Sequence, residues 1–114
     1  DSIGKKIKVV QAVADTLGLT NVKAYHQRAE QVEGKFDFVV SRAVTKAERL
    51  VNWVKPKLSK EHKNDKSNGF LFLKGGDIAD EFAVLNAYFE TYSLSSYFKS
   101  EFFETKKLIY LKSQ

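Results

Sequence analysis

Cysteine and methionine are both absent from the 114 residues. Without cysteine there are no disulfides, no thiolate metal sites and no cysteine nucleophile, which fits a reducing cytoplasm. Histidine is nearly as scarce, with only His26 and His62. A histidine-rich metal centre is therefore excluded, and a triad built on histidine is disfavoured. No apolar run reaches membrane-spanning length and no basic-then-apolar leader opens the sequence, so the expected location is the cytoplasm, with no membrane partner. Neither a P-loop nor GxGxxG is present, because Lys74-Gly75-Gly76-Asp77 lacks the glycine spacing that cradles a phosphate chain. Internal repeats and low-complexity tracts are missing too. A chain that starts at Asp1 and holds no methionine reads as a piece of something longer.

What is present suits a packed domain. Hydrophobic residues make up 43 % of the chain, with nine Phe and five Tyr supplying bulk. The length fits one domain spanning residues 1–114. The formal net charge is +5, which favours a polyanionic partner without requiring one.

Ser2 can cap a helix running to about Leu17, with Ile3, Ile7, Val10, Ala14 and Leu17 on one face and Gly18 closing it. Lys5, Lys6 and Lys8 crowd its first turns, where the helix dipole disfavours cations, so they form either a solvated face or one that meets phosphate. Asn21 to His26 alternates as a strand does. RAEQVEGK then reads as a loop with at most one helical turn. Phe36 to Ser41 is a second strand, and Thr45 to Val54 a helix with Ala47, Leu50, Val51 and Val54 inward. Pro56 ends or kinks that helix. Ser59 to Asn68 has no apolar residue and reads as an exposed, mobile loop. Phe70 to Leu73 is a third strand, Ile78 to about Phe89 a helix, and Tyr92 to Phe98 with Leu108 to Lys112 a closing hairpin. Alternation of this kind argues for a mostly parallel α/β sheet with an antiparallel end. The opening helix lacks the strand that normally precedes it.

Three strands would end in polar groups: His26 with Arg28, Ala29 and Glu30; Ser41 with Arg42; Lys74 with Gly75. In a parallel sheet these ends share one edge, where ligands of α/β folds sit. Asp77, Asp80 and Glu81 are explained by the dipole of the helix they open. Trp53 reads as packing. Tyr88, Phe89, Tyr92, Tyr97 and Phe98 interleave with Lys99 as a base-stacking surface would, although core strands are equally aromatic.

The segments DSIGKK, RAE, FDFVVSRAV, FLFLKGG and KKLIYLKS, in this order and spacing, resemble the RsmG (GidB) family of small-subunit ribosomal RNA guanine-N7 methyltransferases, which use S-adenosylmethionine. The resemblance covers essentially the whole chain. It implies an α/β fold, a Rossmann-like class I methyltransferase sheet that is incomplete at its N-terminal strands and ends in an antiparallel hairpin. The family's glycine-rich cofactor loop lies upstream of the segment matched by Asp1, so the chain looks like the C-terminal part of the methyltransferase domain.

Roles follow from the resemblance residue by residue. Asp1 matches the acid that accepts hydrogen bonds from the cofactor ribose, flanked by Ser2 and Ile3. Ala29 and Glu30 match the pair lining the adenine, and Arg42 an arginine at the cofactor and substrate crevice. Lys74, Arg28, Lys5 and Lys6 are candidates for RNA phosphate, and no catalytic acid or base is assigned. The missing strands imply exposed sheet edges, self-association or strand swapping, and no methyl transfer by this chain alone. Two other readings stand beside this one. One is a non-catalytic basic RNA-binding module, the other a structural domain in which Arg42 is a buried ion-pair partner.

Overall fold

The computed structural model describes residues 1–42 and 45–113. Ala43 and Val44, which close FDFVVSRAV, lie outside the described residues, as does Gln114. The chain forms two compact units, Asp1–Glu33 and Gly34–Gln114.

In the first unit, helix α1 spans Gly4–Thr16 with Ile3 as N-cap and no side-chain cap. Ser2 thus does not cap it. The N-terminal turn is closed instead by Asp1, whose Oδ1 accepts the Ile3 N–H at 2.8 Å. At the other end Gly18 takes φ +67°, the Leu19 N–H donates to Ala14 O and the Gly18 N–H to Asp15 O. Those two bonds are the Schellman closure that a left-handed glycine permits. Of the expected inward face only Ala14 is buried; Val10 and Leu17 stay exposed. Asn21 to His26 is not a strand. Alternation produces a strand only where a neighbour offers a ladder, and the bond from the Asp1 amino group to the Tyr25 carbonyl at 3.1 Å does not extend into one. It is followed by one 3-10 turn, Ala29–Gln31.

The second unit contains β1 (Phe38–Arg42), α2 (Ala47–Val54), β2 (Gly69–Gly75), α3 (Ala79–Ala83), β3 (Phe89–Ser93) and β4 (Lys106–Lys112). They form one mixed four-stranded sheet in the order β1-β2-β4-β3. Only β1 and β2 are parallel, joined by the α2 crossover; β4 runs antiparallel to both β2 and β3. The expected mostly parallel sheet is therefore limited to one pairing of three. The antiparallel end is there, with β4 inserted between β2 and β3.

Ala47, Leu50, Val51 and Val54 form the inner stripe of α2, as their spacing predicts, and pack with Phe82 of α3 on Phe70, Phe72, Ile109 and Leu111. Phe82 is fully buried and meets Phe72 edge to face at 5.4 Å. Helix α3 is much shorter than the predicted Ile78 to Phe89. Asn86, at φ 44°, adopts the left-handed conformation that ends a helical run. Phe89 consequently opens β3, and Tyr97 with Phe98 falls beyond it in a connection holding two 3-10 turns.

The polar loop of residues 59–68 is anchored, contrary to its composition. Asn68 is fully buried. Its side-chain amide donates to the carbonyls of Ser59 and Glu61, both at 2.9 Å, and its backbone N–H to His62 Nδ1 at 2.8 Å. Asn68→Ala removes two of these bonds and leaves the carbonyls without them. The expected loss is about 2 kcal/mol, read as a lower urea midpoint at unchanged slope.

Candidate functional site

The C-terminal edge of the parallel pair carries the residues of interest in the second unit. Along β1, Val39 packs on the core face, so alternation puts Ser41 on that face and Val40 and Arg42 on the other. Observed exposure agrees: Val40 is 65 % exposed and Arg42 is exposed. Along β2, Phe70 and Phe72 face the helices, which places Lys74 with them and Leu73 opposite Arg42. Arg42 and Lys74 therefore share an edge but occupy opposite faces of the sheet. A period of two makes this unavoidable once the register Arg42↔Leu73 is set.

On the helix side, Lys74 Nζ donates to Glu81 Oε1 at 2.9 Å and to the Thr45 carbonyl at 3.0 Å. The same Glu81 oxygen accepts the Ala47 N–H at 2.9 Å. Ala47 is the first residue of α2, whose N-cap, Lys46, supplies no side-chain cap. Glu81 on α3 thus serves as a tertiary cap for α2, and Lys74 neutralises it. Burial pushes the Glu81 carboxyl up, but the hydrogen bonds from Lys74 and Ala47 outweigh this and hold it below its ordinary value. Only 11 % of the Lys74 side chain is exposed.

In the first unit, residues 1–3 lie along residues 26–27. The Gln27 N–H donates to Asp1 O at 2.9 Å, and His26 Nε2 lies 3.1 Å from Ser2 O, to which it donates in the Nε2-protonated tautomer. The His26 ring also covers Gly4, where an added Cβ would come within 3.2 Å of it. This explains a glycine at the start of α1. Ala29 and Glu30 sit on the 3-10 turn, and Arg28 Nε donates to Glu30 Oε1 at 2.6 Å. That hydrogen bond raises the Arg28 guanidinium further above its ordinary value. Lys5 and Lys6 are exposed on the first turns of α1.

Sequence reasoning missed Glu81 as a cap because it was already explained by its own helix. A usable signal existed, since Lys46 is a poor N-cap and the free N–H groups of a helix so begun need an acceptor from elsewhere. The exposure of Arg42 argues against the reading of it as a buried ion-pair residue. Tyr88 and Tyr92 both donate their hydroxyls to Glu90, with Lys66 Nζ at 3.0 Å from the same carboxylate. Those hydrogen bonds, from Tyr92 first, hold the Glu90 carboxyl at about 2.

A family model described as GidB, rRNA small subunit methyltransferase G, matches residues 1–110. The chain is 54 % identical over 111 residues to a protein named ribosomal RNA small subunit methyltransferase G from Flavobacterium johnsoniae, covering 97 % of this chain and 53 % of the relative. Relatives of the same name from Christiangramia forsetii and Flavobacterium psychrophilum are 50 % and 51 % identical, again over 97 % of this chain and 52 % and 53 % of their own lengths. The chain spans about half the length of the curated relatives it matches.

Proposed function

The chain belongs to the GidB family, rRNA small subunit methyltransferase G, and on that premise we propose that it is the C-terminal part of an S-adenosylmethionine-dependent enzyme methylating N7 of a guanine in small-subunit ribosomal RNA. Both compact units would belong to one domain, a reading supported by a family match running through residues 1–110. That continuous match carries the proposal. A cytoplasmic location goes with a ribosomal RNA substrate, and no helix among the described residues is long and apolar enough to cross a membrane.

The residues present fit a nucleoside cofactor. Asp1 has one carboxylate oxygen engaged by the Ile3 N–H, leaving acceptor capacity for ribose hydroxyls. Ser2 and Ile3 flank it, and Ala29 with Glu30 forms a short turn that would line the base, its carboxylate held in place by Arg28. When bound, S-adenosylmethionine supplies an electrophilic methyl group on a sulfonium. N7 of guanine already carries a lone pair and no proton, so the protein has to align the two reactants without a catalytic acid or base. Arg42, a fixed cation at the strand end, suits a carboxylate or phosphate held through its two-pronged guanidinium. Arg28, Lys5 and Lys6 are the further candidates for RNA phosphate. The bonds of Lys74 to Glu81 and Thr45 support an anchoring role for it over direct phosphate contact.

Strand β1 lies at the sheet edge, with Val40 exposed. An edge of this kind invites an upstream strand or a second copy of the chain. The chain by itself is expected to transfer no methyl group. Calorimetric titration of S-adenosylhomocysteine into the 114-residue chain, and into the same chain extended upstream to the length of its relatives, tests the assignment. Binding by the extended protein alone, abolished by Asp1→Ala, is the expected result. Absence of binding by both would leave a basic RNA-binding module as the function.

A further inference from the structure

The inward stripe of α2 leaves Lys46, Arg49 and Asn52 at three-residue spacing on the outer surface, where they line a shallow groove of about 290 Å³. Asn52 also lines a second groove, of about 600 Å³, with Lys35, Lys55 and Lys60 around an apolar floor that includes Pro56 and Leu58. We propose that these two grooves, which share Asn52, form one continuous track for the phosphate backbone of RNA, running along α2 and past its C-terminal end. The track rests on the reading of the substrate as RNA and adds the surface that would carry its flanking nucleotides.

The charges are available for such a partner. Arg49, Lys55 and Lys60 are exposed and take part in no ion pair among the described residues. Lys35 Nζ is tethered to the Pro56 carbonyl, which fixes one cation at the groove wall. Among the described residues Glu48 is the one carboxylate lining the first groove, and none lines the second. From Lys46 to Lys55 the helix rises about 13 Å, long enough to meet several phosphates at roughly one charge per 3.4 Å of strand. Arg49 offers a fork suited to phosphate oxygens. Lys5 and Lys6 form another exposed basic cluster, on α1, but here five cations, Lys35, Lys46, Arg49, Lys55 and Lys60, line two grooves that share Asn52.

Binding to deproteinised small-subunit ribosomal RNA as a function of salt tests the track. Arg49→Gln, Lys55→Gln and Lys60→Gln together should reduce the slope of log affinity against log salt by about 2 to 3, at roughly 0.7 to 0.9 per phosphate contact, and weaken binding on the order of a hundredfold at about 0.1 M salt. A triple control of equal charge, Lys23→Gln, Lys63→Gln and Lys99→Gln, should change the slope little. Far-ultraviolet circular dichroism verifies that both triples keep the fold. Equal losses in the two triples would assign the effect to net charge and overturn the track. Displacement of the RNA by poly-glutamate at matched ionic strength would point to an acidic protein on this surface and overturn it as well. If the unaltered chain bound no RNA while the upstream-extended protein still bound S-adenosylhomocysteine, the track would fail and the cofactor assignment would survive.

Discussion

Gly69→Ala should destabilise the second unit by about 3 kcal/mol, at the upper end of overpacking costs, and lower the melting temperature on the order of 15 °C. A Cβ at this position would lie 2.2 Å from the Leu111 carbonyl oxygen and 3.1 Å from both the Leu111 carbonyl carbon and Lys112 Cα. All three obstacles are backbone atoms of β4, so no rotamer change relieves them. Gly69 opens β2 opposite Lys112 and also donates its N–H to Asp37 O. Moving it away disturbs both neighbours of the central strand. Gly75→Ala, at the far end of the same strand, is the internal control: the nearest atom to its Cβ would be the flexible Lys106 ammonium at 3.2 Å, and the nearest backbone atom, Thr105 O, would lie at an ordinary 3.9 Å. That change should cost under about 1 kcal/mol. Equal effects of the two substitutions, measured by thermal unfolding, would refute the close approach of β2 and β4.

Glu81→Ala should cost about 3 kcal/mol, since it removes two charge-assisted hydrogen bonds and uncaps α2 in a partly buried place. Lys74→Met should cost about 2 kcal/mol. Because both residues act through one oxygen, the double substitution should cost at least about 1 kcal/mol less than the sum. Additive effects would show that Lys74 and Glu81 stabilise the fold independently. The pH dependence has a definite sign. The folded-state carboxyl lies below its unfolded value, so its contribution is complete above about pH 4 to 5 and is lost as pH falls through the folded value. Glu81→Ala should therefore narrow the stability gap to the unaltered protein as the solution is acidified.

The parts that were legible in the sequence are those governed by local periodicity. The inner stripe of α2 and the apolar run of β2 each bury a repeated face, and residues three, four or two apart reveal it directly. The strand end at Arg42 was readable for the same reason. Asn21 to His26 misled because alternation describes a side-chain pattern, while a strand also needs hydrogen-bonding neighbours. The length of α3 misled because Phe89 fits a helical face and a buried strand equally well, and a single left-handed residue, Asn86, decided between them.

By itself the sequence determined an α/β unit with a crossover helix, an antiparallel end and a net positive charge, and it excluded cysteine chemistry within these residues. These follow from composition and short-range pattern. Only the tertiary structure decided that Arg42 and Lys74 occupy opposite faces, that Glu81 caps a helix other than its own, and that Asn68 anchors a polar loop. Each of those depends on which residues far apart in the chain become neighbours, and strand register and helix packing set that without a trace in local spacing.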